Sequence, residues 1–238
     1  MTVSRRTALG RLALLATAAS AIPLTGWAVQ PIKIGIVGSG NMGGTIGRLW
    51  VEAGHEVLFS SRNPQELLSM TNALGSRASA GTPAQAAAFG SVLLFAVPYD
   101  ALPQLGQDLA SAMRGKVVLD ACNPRPGANA LSREAYARGV GVTSARLLPG
   151  TRLVRAFSAV DSYAARASAA GQSPGKLGVP LAGDDAQAIE IASQLIRDID
   201  CEPVVTGNLA SSSGFDNGGP GFRANTTEPE LRRLLGMA

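Results

Sequence analysis

The sequence predicts an α/β fold: a doubly wound, mostly parallel sheet flanked by helices. Three observations lead there. Short apolar runs alternate with helix-period segments along most of the chain. Runs such as Ile32–Val37 and Ser91–Val97 are apolar but for Lys33 and Ser91 at their starts, as strands covered on both faces should be. The composition is 46% apolar and 5% aromatic, with 28 glycines and 14 prolines in 238 residues. That suits a sheet with many tight turns better than an aromatic-rich sandwich.

Taken in order, residues 1–28 read as an address. Arg5 and Arg6 precede the mostly apolar run Leu12–Ile22, Pro23 ends it, and Gly26-Trp27-Ala28 offers a small-residue exit. A basic front, a short apolar middle and small residues at the end describe a signal peptide. The paired arginines resemble the twin-arginine export class, although Ala8 stands where that class favours an aromatic. The run is too short to span a bilayer, and no later stretch approaches eighteen apolar residues, so no transmembrane segment is expected in the mature chain. The expected location is periplasmic or secreted, with a cytoplasmic protein as the alternative.

Ile32–Val37 then reads as a buried strand. Gly38-Ser39-Gly40-Asn41-Met42-Gly43 comes next, and Ile46, Leu49, Trp50 and Ala53 recur at helical spacing until Gly54. Glu56–Ser60 is the second strand. Asn63-Pro64 opens a helix with proline where its missing N–H is harmless. Residues 77–81 form a third strand, and Thr82-Pro83 starts a helix closed by Gly90. Ser91–Val97 is the fourth strand, stopped by Pro98, and a helix covers 99–112. Lys116–Ala121 is the fifth strand, and 125–150 reads as irregular with a helical piece near 131–138. Leu153–Phe157 is a sixth strand, succeeded by a helix over Asp161–Ala170 and a strand over Val179–Ala182. Asp184–Asp198 is a capped amphipathic helix and Pro203–Thr206 the last strand. Residues 207–227 are a Gly-rich loop, and Glu228–Leu235 is a short closing helix. The expected division is one dinucleotide-binding domain over 30–210 with an extension over 211–238.

Charge and composition exclude several functions. The net charge of +4 is concentrated at the start: three of the 21 basic residues lie in the first 28, which hold no acid, leaving 18 against 17. The body therefore lacks an electrostatic footprint for nucleic acid. Two cysteines cannot make a disulfide framework, and one histidine does not anchor a zinc site. No metal site is expected.

The strongest motif is G-x-G-x-x-G between a strand and a helix. Gly38 permits the tight turn, Gly40 lets a pyrophosphate approach the backbone, and Gly43 allows close helix–strand packing. The helix N-terminus offers free N–H groups to phosphate, with Ser39 and Asn41 beside it. This makes the domain Rossmann-type. Strand two ends Ser60-Ser61-Arg62 with no acid. A carboxylate there would bond the ribose 2′-hydroxyl of NAD. Ser61 and Arg62 instead suit the 2′-phosphate of NADP(H). Ala96, Val97 and Pro98 close strand four at the edge where nicotinamide would lie. Asn123, at the end of strand five, is a candidate contact to nicotinamide or substrate, and equally a turn initiator with Pro124.

These residues resemble the NADP oxidoreductase, coenzyme F-420-dependent family, and are similar to the oxidoreductase domain of the STEAP metalloreductases. The matching stretches are Ile34–Gly43, Ser61-Arg62, Ala96–Pro98, Asp120–Pro124, Leu153–Phe157 and Val179–Asp185. The resemblance implies hydride exchange between NADP(H) and a flavin or deazaflavin. It places phosphate contacts at Ser39, Gly40 and Met42, and the nicotinamide ribose near Val97 and Pro98. Where the family motif continues Ala-Phe-Asn, this chain has Ala156-Phe157-Ser158, which puts Ser158 at the expected ring pocket beside Asn123 and Pro124.

Ring-to-ring hydride transfer needs placement more than an acid or base. The sequence agrees, because no catalytic acid or base is assignable. His55 falls in the turn before strand two, at the end of the sheet away from ligands, as a surface or packing residue. Cys122 and Cys201 read as core thiols, with Cys122 alternatively at the cofactor edge. Asp184-Asp185 caps a helix. The expected partner is a small-molecule electron acceptor, and a homodimer is compatible with this. Two other readings stand: an imine reductase resembling pyrroline-5-carboxylate reductase, and a non-catalytic NADP-binding redox sensor. The first requires a helical second domain, whereas strand-like segments fill this C-terminal half.

Overall fold

The computed structural model describes residues 30–237, so the predicted signal at 1–28 lies outside the described residues. The chain runs β1 (Lys33–Val37), α1 (Asn41–Glu52), β2 (Glu56–Ser60), α2 (Leu68–Leu74), β3 (Ala78–Gly81), α3 (Pro83–Phe89) and β4 (Val92–Phe95). It continues α4 (Leu102–Asp108), α5 (Ala110–Met113), β5 (Val117–Asp120), α6 (Ala130–Arg138), α7 (Val140–Leu147) and β6 (Arg152–Ala156). The last elements are α8 (Ser162–Ala169), β7 (Leu177–Gly183), α9 (Ala186–Arg197), β8 (Cys201–Gly207) and α10 (Glu228–Leu234).

One eight-stranded sheet has the order β3-β2-β1-β4-β5-β6-β7-β8. Every pair is parallel except β6–β7. The chain winds outward from β1 through β2 to β3, then returns to β4 on the other side of β1. That reversal opens a crevice at the carboxyl ends of β1 and β4, where ligands bind in such sheets.

Side chains alternate between the two covered faces, as the two-residue strand period requires. Val92 and Leu94 of β4 join Ile46, Leu49 and Trp50 of α1 on one side. Leu93 and Phe95 join Leu102, Met113 and Val140 on the other. Covering both faces explains why these strands read as continuous apolar runs.

Four segments differ from expectation. The helix opened by Asn63-Pro64 begins as a 3-10 turn over Pro64–Leu67, ahead of α2. The single helix over 99–112 is divided into a 3-10 turn at Tyr99–Ala101, α4 and α5, with Pro103 in the first turn of α4 and a break at Leu109 (φ −104°). The irregular stretch 125–150 contains α6, capped by Asn129, and also α7, with only Gly139 (φ +97°) between them. Val140-Gly141-Val142-Thr143 has poor intrinsic helix propensity, and burial of Val140, Gly141 and Thr143 against α6 and the 209–214 segment overrides it. Within the expected loop, Leu209–Gly214 forms a 3-10 turn capped by Asn208. Thr82 heads α3 through a reciprocal capping box with Gln85, and Asp185 caps α9 by accepting the Ala188 N–H. Among the described residues, no helix is long and apolar enough to cross a membrane.

Candidate active site

The turn after β1 is held by its neighbours. Gly38 has φ +97°, and a Cβ there would lie 2.5 Å from the Ala96 carbonyl oxygen. A Cβ on Gly43 would lie 2.1 Å from the Gly38 oxygen, so α1 can pack this closely only with glycine. Gly40 is different: a Cβ there would meet nothing within 4 Å. Its missing side chain leaves space for something outside the chain, as close pyrophosphate approach needs.

Gly40 is the N-cap of α1. It brings no side-chain cap, and the first turn holds no acid. The first N–H groups of a helix have no intrahelical acceptor, so this end presents donors and partial positive charge. The Ser39 hydroxyl is buried and has no partner among the described residues. These features fit an anionic phosphate. The Ser39 N–H donates to the Ser60 carbonyl at 3.1 Å, and the Ser60 hydroxyl donates to the Ile36 carbonyl at 2.6 Å. Ser60 thereby fastens the ends of β1 and β2 together, fully buried behind the cleft.

Beyond this turn lies a cleft of about 620 Å³. Gly38, Ser39, Gly40, Ser61, Arg62, Ala96, Val97 and Pro98, all singled out in the sequence, line it, joined by Gln104 and Leu105 of α4. The Ser61 hydroxyl accepts the Asn63 N–H at 3.0 Å and keeps its own proton to donate. Arg62 is exposed at the mouth. Glu66 also lines the cleft, its carboxylate held by the Asn63 amide at 3.0 Å. Sequence reasoning missed Glu66; its position one turn after Arg62 in a Pro-initiated helix was the available signal.

Other predicted residues lie elsewhere. Asn41 faces a neighbouring cleft of about 580 Å³ on the far side of the turn, shared with Ser39 and Gly40. Met42 is half-buried against the core, and Gly43 is buried beneath the turn. Asn123, Pro124 and Ser158 form a separate group at the carboxyl ends of β5 and β6. Asn123 Nδ2 donates to the Ser158 carbonyl at 2.6 Å, and Pro124 is buried with its carbonyl accepting the Tyr136 hydroxyl at 2.8 Å. Ser158 is 4% exposed, and its hydroxyl has no partner among the described residues.

Under that group is a charge cluster the sequence reading did not assign. Arg155 is fully buried and sits directly opposite Asp120 in the β5–β6 register. It donates to Asp120 at 3.0 Å, to Asp216 at 3.0 and 3.1 Å, and to the Cys122 carbonyl. Burial alone would push the guanidinium toward neutrality. The two carboxylates outweigh that and hold its pKa above the ordinary value. The available signal was an arginine inside the apolar strand Leu153–Phe157 and an aspartate ending another.

Two further titratable groups near the strand ends, Cys122 and Tyr99, are held in their protonated forms. Cys122 is buried and accepts the Val97 N–H at 3.5 Å; burial and the Asp120 charge hold its thiol well above the usual range. Burial pushes the Tyr99 phenol up to about 12. Both stay protonated at neutral pH. His55 is a packing residue rather than a surface one: it is fully buried, accepts the Ile32 N–H at 3.2 Å, and bonds Asp198 at 3.0 Å. No group of three potential metal ligands occurs among the described residues. The arrangement offers donors for an anion and a cleft that can bind and orient a ligand.

Residues 33–124 match the family described as NADP oxidoreductase, coenzyme F420-dependent. The chain is 27% identical to metalloreductase STEAP3 of Rattus norvegicus over 180 residues, 76% of this chain and 35% of that protein. It therefore spans about a third of that relative's length. Two solved structures share its fold. A hypothetical protein from Sinorhizobium meliloti superposes with a TM-score of 0.66 at 24% identity, covering 82% of this chain and 94% of the other. A candidate F420-dependent NADP reductase from Arthrobacter sp. FB24 gives 0.63 at 20% identity, covering 86% and 94%.

Proposed function

We propose that this chain is an NADP(H)-dependent oxidoreductase that exchanges hydride with a flavin, a deazaflavin or a similar small electron acceptor. One observation supports it most: a single cleft joins the open approach at Gly40, the uncapped start of α1, and the Ser61–Arg62 end of β2. The family match over the first half of the sheet supports the same cofactor. Bound there, NADPH would supply a hydride from its nicotinamide ring.

In this reading Gly38, Ser39, Gly40 and the N–H groups of Asn41, Met42 and Gly43 hold the pyrophosphate. Ser61 and Arg62 hold the 2′-phosphate, with Ser60 bracing the strand behind them. Ala96, Val97 and Pro98 flank the nicotinamide ribose. Asn123, Pro124 and Ser158 border the acceptor. Residues 1–28 would direct twin-arginine export, which carries folded proteins and so allows the cofactor to be acquired first.

The test is NADPH oxidation by purified protein with riboflavin, FMN, a deazaflavin, and a ferric chelate with and without flavin. The chelate is included because the rat relative is a metalloreductase. Turnover with a ring acceptor is expected. Tight NADPH binding without turnover on any acceptor would favour the redox-sensor reading.

A further inference from the structure

The amide of Asn123 is held from both ends. Arg155 Nη2 donates to Asn123 Oδ1 at 2.7 Å, and Asn123 Nδ2 donates to the Ser158 carbonyl at 2.6 Å. A guanidinium only donates, so the atom facing it is the amide oxygen. A carbonyl only accepts, so the atom facing it is the amide nitrogen. The chemistry of the two neighbours thus fixes an orientation that is often ambiguous. One N–H of Nδ2 is left over, on a half-buried side chain at the carboxyl end of the sheet.

Both holders are themselves rigid. Arg155 is fixed by Asp120 and Asp216, and Asp216 takes a further bond from the Ser212 hydroxyl at 2.7 Å. The Ser158 carbonyl comes directly after Phe157, a bulky, fully buried residue with φ +60°. Such a residue rarely adopts that conformation, and backbone strain of this kind collects at functional sites. The Phe157 ring packs edge-on against Trp50 of α1, with centroids 5.8 Å apart. The helix that begins at the phosphate turn therefore also anchors this corner.

Resting on the function proposed above, we infer that Arg155 is a positioning residue: it locks Asn123 so that this position offers a ligand one hydrogen-bond donor and no acceptor. The group it takes is a carbonyl oxygen, on the nicotinamide carboxamide or on the ring of a flavin-type acceptor. A freely flipping amide would accept a donor equally well.

The measurement is side-chain amide NMR on protein labelled at asparagine nitrogen, with Asn123→Ala identifying the signal. In the free protein, one Asn123 amide proton should exchange slowly with water and its partner quickly. NADP+ and riboflavin are then added separately, and the fast-exchanging proton should shift with whichever carries the contacting carbonyl. Arg155→Met, which has no donor, should abolish the exchange asymmetry while NADP+ still binds. The inference is overturned if both protons exchange alike in the wild type, or if the asymmetry survives Arg155→Met. It is also overturned if neither addition moves the fast proton although NADP+ binds. Should Arg155→Met not fold, Asn123→Asp keeps the oxygen for Arg155 but removes the donor. Its kcat should fall at least about tenfold, with KM rising only for whichever of NADPH and the acceptor moved the fast proton, and an unchanged kcat overturns the inference. Wild-type protein that binds no NADP+ would instead defeat the proposed function, and the exchange asymmetry would still judge the lock.

Discussion

The N–H of Ser39 donates to the carbonyl of Ser60 at 3.1 Å. This bond ties the glycine turn to the end of β2, so the group that would hold a pyrophosphate and the residues that would hold a 2′-phosphate move as one piece. Under the proposed function, nucleotide selection would rest on Ser61 and Arg62, the residues just beyond that bond. Arg62→Ala should reduce the preference for NADPH over NADH by about 1.5–3 kcal/mol, the scale of a hydrogen bond to a charged group. Fluorescence titration with each nucleotide checks it.

Glu66 shares the cleft with Arg62. Its carboxylate repels a 2′-phosphate and can accept from a free 2′-hydroxyl. Glu66→Gln should therefore tighten NADPH binding and weaken NADH binding, by less than Arg62→Ala changes either. The same titration reads the sign, and equal affinities in variant and wild type would remove Glu66 from the site.

The two glycines at the start of α1 should separate stability from binding. At Gly40 an added methyl meets no protein atom, so Gly40→Ala should unfold at the wild-type temperature yet bind NADPH poorly. At Gly43 the methyl would strike the Gly38 carbonyl, so Gly43→Ala should lose about 1–3 kcal/mol of stability through overpacking. Thermal melts and nucleotide titrations on both variants distinguish the two roles.

Arg155→Met should lower the unfolding free energy by about 3–5 kcal/mol, because it leaves Asp120 and Asp216 buried without their cation. Urea unfolding monitored by tryptophan fluorescence measures the loss. A variant as stable as the wild type would mean the cluster relaxes by taking up protons or water.

Asp161 gives stability a dependence on acid. Although burial opposes its charge, Asn225 and Arg223 hold its carboxyl below the ordinary 3.8. A carboxylate with a depressed folded pKa stabilises the fold above its unfolded value, and that contribution fades as pH falls through the folded one. Asp161→Asn should thus be less stable than wild type at neutral pH, and the gap should close as pH drops below about 4. Parallel melts across that range test it.

Much of the fold and the cleft is legible in the sequence because the strands are short, apolar and punctuated. Ile32–Val37 with its glycines places β1, the turn and α1 together, and Glu56–Ser60 is legible to the residue. Arg62 can be set in the cleft because a βαβ unit directs the chain leaving β2 toward the crevice at the carboxyl ends of the strands. The features that escape depend on tertiary contact. Nothing local announces α7, whose poor helix formers are held by α6 and the 209–214 turn. Asp216 lies in a Gly-rich stretch, and only the folded chain shows it reaching Arg155 from 61 residues away. Ser60 groups with the cofactor residues by its place at the strand end, while its hydroxyl in fact points back to Ile36.

The most direct test of the central claim is the affinity of the purified protein for NADPH and NADH, measured side by side by calorimetry. The account predicts that both occupy one site and that NADPH binds at least about tenfold more tightly. Binding of neither nucleotide, or a preference for NADH, would contradict it.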